Sequence, residues 1–136
     1  MTESHLTITG IILITLALAH PILPKYFNWS KELQQISLIN RQIMYVHTFF
    51  IAFMLFLMGL LCLTSSSELI NTKLGNRVLL GLSIFWTTRL VIQFFGYSSK
   101  LWKGKRMESI IHIACSLLWS YLSIVFFFMY LRGSSV

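Results

Sequence analysis

The chain has 136 residues, of which 56% are hydrophobic and only 11% are charged. A soluble domain carries roughly a quarter charged residues, so this composition, with a mean hydropathy of +0.73, excludes an ordinary soluble domain and indicates a membrane protein. The net charge of +7 does not indicate a nucleic-acid partner, because its distribution follows the connections between apolar segments.

Four apolar segments follow one another along the chain. A helix needs about 20 apolar residues to cross a bilayer, and helices satisfy every backbone polar group within one segment. The apolar positions do not alternate strictly, which argues against a membrane β-barrel. We therefore predict an all-α polytopic membrane protein, a four-transmembrane-helix bundle forming one domain over residues 1–136, with spans at about 6–23, 42–66, 78–97 and 109–131.

The first span is predicted to end at His20-Pro21, with Pro24 close behind, since proline lacks an N–H and disfavours helix in the residue before it. The next stretch, "NWSKELQQISLIN" (28–40), has a capping residue at Asn28 or Ser30 and a mixed apolar and polar pattern. It predicts a short amphipathic helix on the cytoplasmic membrane surface.

Two further connections are polar. "TSSSELINTKLGN" (64–76) is predicted to be an external turn, with Gly75-Asn76 ending regular structure. "SSKLWKGKRM" (98–107) is predicted to be a second cytoplasmic connection that also touches anionic lipid headgroups.

The basic residues are unevenly divided between the two sides of this arrangement. The positive-inside rule places the richer side in the cytoplasm and both termini outside. The richer side has Lys25, Lys31, Arg41, Lys100, Lys103, Lys105 and Arg106, and the poorer side has Lys73, Arg77 and Arg132.

One charge interrupts a span. Arg89 lies in "FWTTRLVIQFF" (85–95), and a charge within lipid is costly enough to need a partner. Helical spacing places it on one stripe with Trp86, Gln93 and Tyr97, roughly 12 Å in from Tyr97 and near mid-membrane. Two donors one turn apart suit a carboxylate, a phosphate or a carbonyl.

Other polar residues are predicted to converge on the same cytoplasmic half. Span four carries a stripe from Glu108 through His112 to Trp119, and His47 and His20 lie in spans two and one. We therefore predict a polar pocket, with a structural Arg89–Glu108 ion pair as the alternative. The predicted ligand-binding residues are Arg89, Gln93, His47, His112, Glu108, Trp86, Trp119 and Arg41.

Three functions remain open. The pocket fits an amphiphile, whether a lipid headgroup, an isoprenoid or a quinone. A second function is haem b binding, with His47 and His112 as the two axial ligands. In another form of this metal hypothesis, a zinc or iron ion binds to His20, His47, His112 and Glu108 and activates water for hydrolysis. The third function is that of a non-catalytic subunit of a larger membrane complex, which would dock through "SIVFFFMYL" (123–131). Assembly of the chain into a homo-oligomer is a further alternative. No reaction follows from these residues.

Two motifs resemble a known kind of protein. "NRQIMYVHTFF" (40–50) and "RLVIQFFGY" (89–97) are similar to segments of small bacterial four-span membrane proteins, in which an Asn-Arg-Gln run, a following His and an Arg-x-x-x-Gln pair recur. The similarity covers most of the chain from Trp29 on. It implies Arg41, His47, Arg89 and Gln93 as site residues and the bacterial inner membrane as the location, and it implies no particular activity.

Overall fold

The computed structural model of the chain describes residues 2–134. Within that range the regular structure is helical and contains no strand, which confirms the all-α prediction. Three short 3-10 turns, at His20–Ile22, Leu33–Gln35 and Ser99–Leu101, accompany the helices. The α-helices are α1 (Thr2–Ala19), α2 (Leu23–Tyr26), α3 (Trp29–Glu32), α4 (Leu38–Thr64), α5 (Ser66–Asn71), α6 (Lys73–Phe95) and α7 (Arg106–Gly133).

Within residues 2–134, four helical segments are long and apolar enough to cross a membrane: Glu3–Tyr26, Leu38–Thr64, Lys73–Phe95 and Arg106–Gly133. Each predicted span boundary lies within five residues of the observed one. In the most apolar stretch of each segment only 17% to 28% of the residues are buried inside the protein. Such large apolar surfaces are unfavourable in water, so the four helices have the surface expected of a multi-pass membrane protein.

The chain divides into two compact units, Glu3–Ser66 and the part from Ser67 onward. The single four-helix domain stays a prediction. In the first unit α1 crosses α4 closely at Gly10 and Gly59. A Cβ on Gly10 would lie 2.7 Å from Leu63 Cγ, and one on Gly59 would lie 2.7 Å from Ile14 Cγ1. The order of these contacts shows that α1 and α4 run antiparallel.

The prolines alter the first long helix without ending it. The α-helix stops at Ala19, as predicted, but the backbone continues as a 3-10 turn through Pro21 and then as α2, so that the helical segment reaches Tyr26. Both prolines occupy a first-turn position of their short helix, where a missing N–H costs little. The chain turns instead at Asn28, whose φ is +51°.

The predicted amphipathic helix is shorter than expected. It runs from Trp29 to Gln35, with Leu33 buried. Ser37, whose side chain accepts a hydrogen bond from the Asn40 N–H at 3.4 Å, starts α4. The last residues of the predicted helix therefore form the first turn of α4, because a capping side chain begins a new helix.

The predicted polar turn at 64–76 is wrong, since most of it is helical. It contains α5 and the beginning of α6, and Thr72 joins the two by accepting a hydrogen bond from the Gly75 N–H at 2.9 Å. A Cβ on Gly75 would run into the backbone of Glu68 and Leu69. The glycine therefore permits close packing of α5 on α6 and does not end a helix.

In the second unit α6 and α7 pack along each other in antiparallel directions. The indole rings of Trp86 and Trp119 stack with their centres 5.2 Å apart. Toward the start of α6 and the end of α7, Asn76 Nδ2 donates to the Tyr130 carbonyl oxygen at 2.8 Å. This pairing brings the two predicted polar stripes of α6 and α7 to one interface.

Candidate functional site

Arg89 lies nearer to a helix end than predicted. Because α6 ends at Phe95, Arg89 is six residues, or about 9 Å, from that end. Its Nη1 donates to Gln93 Oε1 at 3.3 Å, and its Cζ lies 5.1 Å and 5.8 Å from the ring centres of Trp119 and Tyr97. The side chain thus extends toward the C-terminal end of α6, in the manner of long cationic side chains that reach for a polar boundary.

The alternative of an Arg89–Glu108 ion pair is wrong. Glu108 lies in the first turn of α7 and is exposed, where a carboxylate is stabilised by water and by the helix dipole. Within residues 2–134, the contacts of the Arg89 guanidinium are one amide oxygen and two aromatic rings, with no carboxylate at ion-pair distance.

Gln93 is the centre of the site. It is only 6% exposed, and its Oε1 accepts hydrogen bonds from Arg89 Nη1 and Trp119 Nε1, both at 3.3 Å. Its Nε2 lies 2.8 Å from His112 Nδ1. The amide therefore joins a cation on its own helix to an indole and an imidazole on α7, so three of the predicted site residues meet at one side chain.

The orientation of the amide follows from its partners. Guanidinium and indole nitrogens are donors only, so the atom of Gln93 that faces both Arg89 and Trp119 must be the oxygen. The other atom is then the NH₂ group, which donates to His112 Nδ1. The imidazole is held with Nδ1 as the acceptor, and its proton is on Nε2.

Trp102 belongs to this site and was not predicted. Its ring stacks on His112 with centres 3.9 Å apart and planes 8° from parallel, while Phe94 approaches the imidazole edge-on at 6.2 Å. Ser109 Oγ donates to the Trp102 carbonyl oxygen at 2.7 Å. Trp102 lies inside the basic run "KLWKGKR", and an aromatic residue in such a run is the sequence signal for this contact.

The connection between α6 and α7 turns sharply just after Trp102. Gly104 has a φ of +79°, a left-handed conformation in which a Cβ is disfavoured. The turn and the Ser109 hydrogen bond together bring the connection back over the start of α7. Trp102 consequently covers one face of the His112 ring.

Trp86 and Trp119 are two stacked, buried indole rings between α6 and α7. Their relative exposures are 2% and 9%, and their planes are 18° apart. Trp119 Nε1 is satisfied by Gln93, whereas Trp86 Nε1 is buried with no hydrogen-bond partner in the described part of the chain. Both were predicted to surround a ligand, but they lie in the packed interior.

A groove of about 410 Å³ runs along one face of α6. Its only ionisable lining residue is Arg89, and the Thr88 hydroxyl is already donated to the Ile84 carbonyl oxygen at 2.8 Å. The groove is therefore a shallow, open apolar surface with a cation toward one end. It is lined by Gly81, Ile84, Phe85, Thr88, Arg89 and Ile92.

The remaining predicted residues lie in the first unit. His20 Nδ1 is 2.7 Å from the Leu16 carbonyl oxygen, within its own helical segment. His47 is exposed on α4 and Arg41 is partly exposed near its start. Their convergence with Arg89 and His112, and the haem that would join His47 to His112, stay predictions.

The metal hypothesis gains no support. Among residues 2–134, no three His, Cys, Asp or Glu side chains form a group that could hold a metal ion. The ligand set His20, His47, His112 and Glu108 therefore stays a prediction.

The predicted docking face "SIVFFFMYL" is only partly available. Phe126 and Met129 are buried, whereas Ile124, Phe127 and Phe128 are exposed. A helix buries one stripe and exposes the other, so the segment cannot act as a single surface. Only its outer stripe remains for lipid or for a partner.

Comparison with known proteins adds no relative: no family model matches this sequence, no curated protein matches it, and no solved structure matches it. The resemblance to small bacterial four-span proteins thus stands on the two quoted motifs alone.

Proposed function

We propose that the chain is an integral membrane protein that binds an amphiphile on its α6–α7 pair. The polar head would contact Arg89 and His112, both held by Gln93, and the tail would follow the groove along α6. A lipid headgroup, an isoprenoid or a quinone are the candidate classes. The proposal concerns binding and assigns no reaction.

The observation that carries the proposal is that Arg89 has no carboxylate at ion-pair distance among residues 2–134. Placing an arginine in the apolar part of a helix costs about 2.5–3.5 kcal/mol on insertion scales, less near the helix end. Each of the two cation–π contacts of Arg89 returns about 0.5–2 kcal/mol, but neither supplies a negative charge, and the bond to Gln93 uses one of five N–H groups. A bound anion would use the remaining donors and supply the counter-charge, whereas a carbonyl oxygen would use the donors alone.

The groove supports the same proposal from the apolar side. Phe85, Ile84 and Ile92 line it beside Arg89, so a chain of methylene groups lying there would keep its head within reach of the guanidinium. Burial of each methylene contributes about 0.8 kcal/mol when it leaves water, but little when it leaves lipid. The polar head must therefore provide most of the selectivity within a membrane.

The basic connections support an orientation for this arrangement. With the Lys- and Arg-rich connections in the cytoplasm, both termini would lie outside and the site would face the cytoplasmic half. The exposed basic residues around Trp102, which include Lys100, Lys103 and Lys105, would then attract anionic lipids toward Arg89.

The test compares two arginines of the same helix. Arg89 and Arg77 both lie on α6, but Arg77 is exposed near the opposite end. Wild type, Arg89→Leu and Arg77→Leu are placed in phosphatidylcholine bilayers, and acyl-brominated phosphatidylglycerol is added to quench tryptophan fluorescence. Because Trp119 lies 5.1 Å from Arg89, a lipid held at the site should quench efficiently.

We expect Arg89→Leu to weaken the affinity for phosphatidylglycerol, measured from the quenching curve, about tenfold or more, because a charged hydrogen bond is worth about 1.5–3 kcal/mol. Arg77→Leu should leave it close to wild type, since it removes the same charge from α6 without touching the site. Circular dichroism must show equal helix content in all three proteins. Equal weakening by both variants, or none by Arg89→Leu, would contradict the proposal.

A further inference from the structure

We infer, resting on the proposed function, that Gln93 is a positioning residue that makes the site a pure hydrogen-bond donor, and that the amphiphile is a deprotonated acid. The headgroup would be a carboxylate or a phosphate ester. Gln93 would act through its neighbours, because it is itself buried.

The side-chain oxygen of Gln93 already accepts all the hydrogen bonds that it can. Gln93 Oε1 accepts from Arg89 on one side and from Trp119 on the other, at 3.3 Å each. A carbonyl oxygen has two lone pairs, so this oxygen has no capacity left for a ligand. Among the side chains of Arg89, Gln93, Trp119 and His112, the other acceptor is the unprotonated ring nitrogen of His112, which Gln93 Nε2 already occupies.

The contact with Gln93 also fixes the tautomer of His112. The Gln93 amide nitrogen, a donor, lies 2.8 Å from Nδ1, which directs the imidazole proton to Nε2. Across residues 2–134, Nε2 of His112 has no hydrogen-bond partner. Like the unused N–H groups of Arg89, it is available to donate.

Arg89 and His112 together select the chemistry of the headgroup. Arg89 and His112 are held at the two ends of one amide, and both present only donors outward. An amine, a hydroxyl or a protonated acid would bring its own hydrogens and find no acceptor in this network, which is unfavourable in a desolvated site. A quinone carbonyl would satisfy a donor but leave the Arg89 charge uncompensated, so an ionised acid fits best.

The tautomer is tested directly by ¹⁵N NMR of histidine-labelled protein. His112→Gln identifies the signal among the four histidines. Wild type should show His112 protonated on Nε2 only. In Gln93→Glu, which keeps the side-chain length, the carboxylate accepts from Nδ1–H and the proton should move there. In Gln93→Met, which keeps the length and removes the hydrogen bonds, the two tautomers should mix.

Ligand preference is tested with two matched pairs of probes at alkaline pH, where the acids are ionised. The first pair is dibrominated stearic acid and its methyl ester, and the second is brominated phosphatidylglycerol and brominated diacylglycerol. Tryptophan quenching should favour the acid over its neutral match by about tenfold or more in wild type. Gln93→Glu should abolish the preference, because its carboxylate neutralises Arg89.

The outcomes separate this inference from the proposed function. A preference in the first pair alone assigns a carboxylate, one in the second pair alone assigns a phosphate, and both outcomes support the inference. If Arg89→Leu weakens binding but wild type treats acids and neutral matches alike, or if Gln93→Glu leaves the tautomer and the preference unchanged, the inference is overturned while the binding site stands. If no probe depends on Arg89, both are overturned.

Discussion

The close crossing of α1 and α4 gives a steric prediction with a built-in control. In Gly59→Ala the new Cβ would lie 2.7 Å from Ile14 Cγ1 and 2.9 Å from the Gly10 carbonyl oxygen, whereas ordinary contacts lie at 3.4–4 Å. The Ile14 side chain can rotate, but the Gly10 oxygen is backbone. The two helices must therefore move apart by about half an ångström, the difference between 2.9 and 3.4 Å.

The magnitude comes from two opposing effects. Overpacking of this kind costs about 1–3 kcal/mol, while replacing glycine by alanine within a helix stabilises it by about 1 kcal/mol. Gly81 on α6 supplies the second effect alone, since a Cβ there meets nothing within 4 Å. Gly81→Ala should therefore stabilise the protein slightly, and Gly59→Ala should be less stable than Gly81→Ala by about 1–3 kcal/mol.

The assay is reversible unfolding in mixed micelles, with increasing SDS added to a mild detergent and helix content followed by circular dichroism. Wild type, Gly59→Ala and Gly81→Ala are compared at equal detergent composition, and Gly10→Ala should match Gly59→Ala because its Cβ would meet the Gly59 carbonyl oxygen at the same 2.9 Å. Equal stabilisation by Gly59→Ala and Gly81→Ala would refute the close crossing.

Two further predictions concern the second unit and use the same unfolding assay. Trp119→Phe removes the bond to Gln93, whereas Trp86→Phe removes a buried N–H that has no partner among the described residues; the former should be less stable by about 1–2 kcal/mol, and equal stabilities would contradict the network. Asn76→Ala removes the 2.8 Å bond to the Tyr130 carbonyl oxygen and should cost about 0.5–1.5 kcal/mol; an unchanged midpoint would argue against that bond.

Much of the site could be predicted from helical periodicity. Arg89 and Gln93 lie four residues apart on α6, and His112 and Trp119 lie seven apart on α7, so each pair falls on one helix face. Antiparallel pairing of α6 and α7 then brings the faces together. The predicted depth of Arg89 was less accurate, because the helix ends at Phe95 and not at Tyr97.

Contacts that depend on the ends of helices were not predictable in this way. Glu108 looked like the natural partner of Arg89, yet it is exposed in the first turn of α7. Trp102 lies in a connection predicted to face the cytoplasm and to touch lipid headgroups, yet the Gly104 turn and Ser109 place it on His112. A short connection can follow many paths, and a single side-chain hydrogen bond decides among them.

The four long apolar helices follow from the sequence, because hydropathy and helical period are properties of segments and do not depend on what each segment meets. The links from Gln93 to His112 and Trp119 follow only from the fold. They depend on distances of about 3 Å between residues 19 and 26 positions apart in the chain, and hydrogen bonds weaken steeply when that geometry is lost.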